Sequence, residues 1–363
     1  MKYSILLLIG IGFISCQKIE DDVSLVQQYG EVCKFKTEIL SPEGFEVNTL
    51  GSIEFNGSIQ AFQFVNAQTG YAMASSNSGG YVEVFKTTDG GQTWTDLNVG
   101  INQSPRSMVF KDENFGIITV HDITGCPPPN CQHKCVILKT ENGGIDWEEV
   151  EIENLQGMLY HPKFDSQGNL YASLYLDGHL TLVKSVDDGA NWDTLFSSPD
   201  LDFSLVTFSF EMYQDKIFVS ANDGRIIVVD TAGTYIKTME IIGSWIWDLE
   251  IIDENNLVVV VSGAVVKSIN GGATWDTIYN QSARMIAFDS FDKGLMLLEK
   301  SSCPTDVYQV NDLIASTDNG GVSWNEAAET TTNMRISYTN SQRMGSGIWY
   351  MIIGNKLIEI KEK

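Results

Sequence analysis

Basic side chains are scarce. The 363-residue chain has 23 Lys and Arg against 47 Asp and Glu, a formal net charge of −24. A surface this acidic repels phosphates, so no nucleic-acid partner is expected. Arginine occurs five times, at 106, 225, 284, 335 and 343, and histidine four times. With so few imidazoles, no Ser-His-Asp order stands out. No phosphate-cradling glycine loop opens a helix. Long apolar runs are also missing: the one at the start, Ser4 to Ser15, is too short to cross a bilayer.

Glycine and tryptophan are present in one recurring pattern. Thr87-Thr88-Asp89-Gly90-Gly91-Gln92-Thr93-Trp94 returns at 140–147, 185–192, 268–275 and 317–324. The shared form is Ser/Thr, any, Asp/Asn, any, Gly, any, small polar, Trp. A β-rich run precedes each copy and a short strand follows, so each copy is predicted to be a hairpin turn. Asp or Asn accepts backbone N–H bonds within the turn. Glycine takes positive φ without a Cβ clash. Tryptophan is expected to lie flat against neighbouring hairpins and bury a large area. Nothing in the motif is a nucleophile or a complete metal cage.

These copies resemble Asp-box repeats of the sialidase type. The longer phrase from Gly70-Tyr71-Ala72 through Lys86 to Trp94 resembles photosystem II assembly-factor and sortilin-like propellers. The resemblance spans roughly 45 to 362. It implies a β-propeller and leaves function open, because such repeats occur in sialidases, xyloglucanases and non-catalytic binding proteins.

The tryptophan spacings are 53, 45, 83 and 49 residues. The long gap predicts a degenerate copy, and Asp230-Thr231-Ala232-Gly233-Thr234-Tyr235 fits, with Tyr235 in the tryptophan's place. Six units follow: about 57–99, 103–152, 156–198, 203–240, 243–280 and 282–328. The tail has three further strands, Met334–Tyr338, Ile348–Ile353 and Lys356–Ile360, and Phe45–Leu50 can supply a fourth. The expected fold is therefore all-β: a single seven-bladed propeller over 31–363, its last blade closed by an N-terminal strand.

Before it, residues 1–15 read as a lipoprotein signal peptide. Phe13-Ile14-Ser15-Cys16 resembles a bacterial lipobox, with phenylalanine where leucine is usual. Cys16 is then the lipidated residue, and its acyl chains are the expected membrane link. The alternative is an ordinary cleaved signal with Cys16 incidental. Residues 16–30 form a tether, and Gln17-Lys18-Ile19-Glu20-Asp21-Asp22 resembles the surface-export signal of Bacteroidota lipoproteins. The expected location is the outer membrane, facing outward.

Propeller geometry puts the Gly–Trp turns on one face with the first-to-second loops. The other face carries the second-to-third loops, two of which are long and contain cysteine. One holds Cys126, Cys131, His133 and Cys135. Three thiolates and an imidazole would suit tetrahedral zinc. Their spacing matches no familiar knuckle, and in an oxidising envelope a disulfide among Cys126, Cys131 and Cys135 is the expected form. With Cys33 and Cys303, five cysteines remain after Cys16, so at least one stays unbridged. No cofactor or metal is expected.

Aligning the inner strands on Phe64, Phe110, Phe164 and Phe288 puts Gln60, Arg106, Tyr160 and Arg284 in one ring at the loop-rich rim. Trp247 joins them, and Arg335 falls within one residue. Such guanidinium groups could grip a carboxylate or sulfate through paired N–H donors, and Trp247 and Tyr160 could stack on a sugar face or an apolar ring. Equally, each arginine could pair with a local carboxylate and brace the blades. The sialidase Arg-Ile-Pro is missing: Arg335-Ile336 is followed by Ser337. Asp248 and Glu250 are the one carboxylate pair near the rim. The expectation is a lipid-anchored, non-enzymatic propeller binding an envelope or extracellular protein or glycan, with a scaffold or assembly role. The alternatives are a divergent sialidase- or xyloglucanase-like glycoside hydrolase and a metal-binding envelope protein.

Overall fold

The computed structural model describes residue 41 and residues 44–363, except 56, 77–81, 100–103, 122–133, 177–178, 203–209, 222, 242–244, 282, 302–309, 333–340 and 354. Every described regular element is a β-strand, and the strands form seven antiparallel four-stranded sheets. From channel to periphery, blade 1 runs Gly57–Phe64, Gly70–Ser76, Val82–Thr87 and Thr95–Asp96. Blades 2 to 6 repeat this order from inner strands Ser104–Phe110, Met158–Phe164, Phe210–Tyr213, Ile246–Ile251 and Ala283–Phe288. Blade 7 runs Ser341–Gly345, Ile348–Ile353 and Lys356–Glu362, and ends on Phe45–Ser52 from the other end of the chain. That closing strand pairs Phe45 with Glu362 and Thr49 with Ile358. The ring is seven-bladed and closed as expected, with one change. The inner strand of blade 7 is Ser341–Gly345, whereas Met334–Tyr338, predicted for that place, lies outside the described residues.

The hydroxyl that opens each Gly–Trp turn organises it. Thr87 Oγ1 donates to Asp89 Oδ1 at 2.8 Å and accepts from Gly91 N at 2.9 Å. Asp89 also accepts from Thr93 N at 2.9 Å and Thr93 Oγ1 at 2.6 Å. The Thr93 donors, reinforced by Thr87, hold the Asp89 carboxyl down at about 2. The hydroxyl bonds recur around Thr140, Ser185, Ser268 and Thr317, and where Asn replaces Asp its amide Nδ2 donates to the small polar residue instead. Glycine is obligatory at Gly91. Its φ is 89°, and a Cβ there would lie 2.2 Å from Leu357 Cδ2. The degenerate copy keeps the carboxylate, Asp230 Oδ1 accepting from Ala232 N and Thr234 N. Its Tyr235 stacks with Phe196 at 6.4 Å.

Three of the five motif tryptophans meet the aromatic corner of their own blade. Trp94, Trp147 and Trp324 meet Phe64, Phe110 and Phe288 edge to face, at 6.0, 6.1 and 6.2 Å. That geometry aims the positive ring edge at the partner's negative face. It also explains why the aromatic corner and the tryptophan recur together.

The core is annular. Seven apolar clusters occupy the seven junctions between adjacent blades. Polar latches cross the same junctions. The Gln63 amide clasps Phe110 N and O at 2.7 and 2.9 Å, and Gln342 does the same to Phe64 at 2.6 and 2.7 Å. On the turn-bearing face Lys86, Lys237 and Lys267 donate to the carbonyls of Gly143, Gly271 and Gly320 in the next blade.

Candidate functional site

The two faces are distinguished by hydrogen bonds. Gly90, Gly143, Gly271 and Gly320 in the Gly–Trp turns donate to Gln68, Asn114, Asn255 and Asp292 in the first-to-second loops. These turns and loops therefore share a face. Opposite, where the inner strands begin, Ser262 N in a second-to-third hairpin donates to Trp245 O at 3.1 Å. The inner-strand starts therefore rim the channel on that second face.

A β-bulge interrupts five inner strands near this rim. Ile59 pairs with Ala74 and Ala61 with Met73, leaving Gln60 as the extra residue. Arg106, Trp247 and Arg284 occupy the same position in blades 2, 5 and 6. Blade 3 is looser: Tyr160 pairs with Ser173 and Lys163 with Tyr171, so His161 and Pro162 together oppose Ala172. A bulge inserts an unpaired residue and re-aims its side chain. The ring predicted from the sequence is thus a ring of bulges, plus Tyr160 at the matching height.

Its members differ in environment. Gln60 Nε2 donates to Ser75 Oγ at 3.0 Å. Arg106 is exposed, its guanidinium 5.9 Å from the Tyr160 ring centroid. Tyr160 thereby holds the arginine by cation–π attraction. Arg284 is half-buried at the same register. Trp247 is 43% exposed beside Trp245 at 54%, with ring centroids 6.1 Å apart and planes tilted by 50°. Trp245 and His161 were not singled out from the sequence. A Trp-x-Trp spacing and a proline inside a strand run are the signals that point to them. Arg335 lies outside the described residues; Arg343, on the observed inner strand of blade 7, is ion-paired with Asp289.

Below the rim the channel holds Lys163, Glu211, Asp248 and Glu250 on the inner strands of blades 3 to 5. Lys163 Nζ contacts Glu211 at 2.5 Å. Asp248 accepts from Leu249 N and, across the junction, from Ile286 N, both at 2.9 Å. Burial pushes its carboxyl up to about 7, helped by Glu211 and opposed by the Ile286 and Leu249 N–H groups and by Lys163. Glu250 is also pushed up, by burial first and then by Asp248 and Glu211. Asp248 and Glu250, two residues apart on one strand, face the same way.

Of the candidate disulfide cysteines, Cys126 and Cys131 lie outside the described residues, as does Cys16. Cys135 carries a free thiol, 1% exposed among Val109, Ile137 and Leu159, and burial pushes it up to about 12. This environment places it in the core between blades 2 and 3. Among the described residues no group of three or more His, Cys, Asp or Glu is arranged to hold a metal ion, and no helix is long and apolar enough to cross a membrane.

No protein-family model and no curated protein matches the chain. Solved structures do. YCF48 bound to D1 peptide superposes with a TM-score of 0.61 at 15% identity, over 90% of this chain and 99% of that one. YCF48 from Cyanidioschyzon merolae gives 0.60 at 12%, over 87% and 98%. The GH74 xyloglucanase from Xanthomonas campestris gives 0.57 at 13%, over 86% of this chain and 53% of that one. Peptide-bound and glycan-active proteins stand side by side among these neighbours, and what all of them share with this chain is the β-propeller fold.

Proposed function

We propose that this chain is a non-enzymatic propeller that binds an envelope or extracellular protein or glycan at the bulged rim. In this reading it is anchored through lipid on Cys16 to the outer membrane, facing outward, and serves as a scaffold or assembly factor. The carrying observation is the exposed Trp245–Trp247 pair at the channel mouth. Large exposed apolar groups clustered at a rim mark a contact surface, and tryptophan is a preferred anchor in such contacts. The peptide-bound YCF48 propeller supports the reading by fold alone.

A second reading, a glycoside hydrolase, is favoured by Asp248 and Glu250, whose carboxyls hold protons more tightly than usual and lie in the channel. Against it, Asp248 spends both oxygens on backbone N–H groups and so serves the junction between blades 5 and 6.

The test joins a glycan array and affinity capture from envelope extracts with a turnover assay on chromogenic glucosides and sialosides. Binding that weakens at least about tenfold in the Trp245→Ala/Trp247→Ala variant, with no turnover, supports the binder. Turnover abolished by Asp248→Asn overturns it. Radiolabelled acyl incorporation lost in Cys16→Ala tests the anchor.

A further inference from the structure

The chain enters the ring on the turn-bearing face. The closing strand Phe45–Ser52 runs antiparallel to Lys356–Glu362, with Phe45 opposite Glu362 and Ser52 opposite Lys356. Glu362 N donates to Gly347 O, in the first-to-second turn of blade 7, at 2.8 Å, and Lys363 N donates to Gly44 O at 2.9 Å. First-to-second turns lie on the turn-bearing face, so Gly44 and Lys363 meet there. In blades 1 to 6 a Gly–Trp turn or its degenerate copy opens the outer strand. In blade 7 the meeting of Gly44 with Lys363 takes that place.

The same face carries exposed aliphatic tips. Ile145, Val186, Ile269 and Val322, in the turns of blades 2, 3, 5 and 6, are between 59% and 88% exposed. The turn does not require them. Thr88, Glu141 and Asp318 stand in other copies where Val186 and Ile269 do, and Gln92 stands where Ile145 and Val322 do. Phe291, in the first-to-second loop of blade 6, is exposed at the same end. A single exposed apolar residue needs no explanation, but a set of them gathered on one face marks a contact surface.

We propose that the turn-bearing face is a lipid-contact surface on which the anchored chain rests, so that the bulged rim looks away from the membrane. The proposal rests on the lipid-anchor reading above. A lipid on Cys16 reaches the ring at Phe45 by the shortest course when this face, and not the rim, is turned to the bilayer. Tethering there raises the local concentration of lipid at the tips, so weak aliphatic contacts suffice. Tips spread over four blades fit a broad, flat surface better than a compact ligand. Glu141, Asp146, Asp187 and Asp318 lie in the same turns, within a chain of net charge −24. They repel anionic headgroups, so the surface that fits is zwitterionic.

The experiment is methyl NMR of the acylated chain, labelled at Ile, Leu and Val, on phosphatidylcholine nanodiscs that carry a spin-labelled headgroup. The Ile145, Val186, Ile269 and Val322 methyls are expected to broaden, and with them Val65 and Ile252 in first-to-second loops of the same face. Ile59 and Val261, at the rim end, are expected to stay sharp. On phosphatidylglycerol the broadening is expected to weaken. The fourfold variant Ile145→Ser/Val186→Ser/Ile269→Ser/Val322→Ser is expected to keep its acyl groups and its melting temperature, and to lose the broadening at Val65 and Ile252. The proposal is overturned if Ile59 and Val261 broaden instead, if both ends broaden alike, or if the fourfold variant changes nothing at Val65 and Ile252. Stronger broadening on phosphatidylglycerol overturns it as well. A chain that carries no acyl groups removes the anchor reading and this proposal together. An acylated chain whose rim end faces the disc leaves the anchor reading in place and removes this proposal alone.

Discussion

At the scale of single residues, two kinds of position behave oppositely. The Gly–Trp turn residues hold structure. Trp94 sits edge-on to Phe64, with its Nε1 bonded to Gly91 O at 3.1 Å. Trp94→Ala should cost about 3–5 kcal/mol, seen as a lower denaturant midpoint with unchanged slope. Channel carboxylates act against structure at high pH. Glu250 has its carboxyl raised by burial and by neighbouring carboxylates. The folded state therefore binds its proton more tightly than the unfolded chain does. Its stabilising contribution is complete below the unfolded value and is lost as pH rises through the higher folded one. Glu250→Gln should raise the melting temperature at pH 8 and flatten its decline between pH 5 and 8; a variant less stable at pH 8 would show instead that the carboxylate supports the channel.

At the scale of elements, the strand Phe45–Ser52 closes the ring. Phe45 packs in one cluster with Trp349, Ile358 and Ile360, so removing residues 1–52 would uncover that cluster and an unpaired edge. The truncated chain should elute as aggregate or oligomer on size exclusion, and a monomer with unchanged melting would contradict the closure. This element was legible because Phe45–Leu50 alternates beside a three-stranded tail. The turns were legible because their backbone geometry demands Gly and Asp/Asn. The fourth blade was legible only as a gap, since Tyr235 replaces the tryptophan. Ser341–Gly345 was not: Ser341-Gln342-Arg343-Met344-Gly345 has no β-branched residue and no aromatic. Its place is secured by the Gln342 amide clasping Phe64, a contact between residues 278 apart, which no local pattern reports. The rim ring was legible from the aromatic corners. That its members are bulge residues was not, because an inserted residue shows only in the pairing register.

At the scale of the whole molecule, seven clusters replace a single centre, and each blade contributes to two. Damage at one junction is therefore shared by its neighbours and not contained in one blade. The excess of 47 acidic over 23 basic residues adds self-repulsion to the compact state. Raising ionic strength from about 10 mM to 150 mM, which shortens the screening length from about 30 to 8 Å, should raise the melting temperature. The bulges carry a different consequence. Gln60, Arg106, Trp247 and Arg284 each stand outside the ladder at one height, so strand pairing does not fix their identities. A display library randomised at these four codons should consist mostly of folded members, and selection from it should yield new affinities on an unaltered frame.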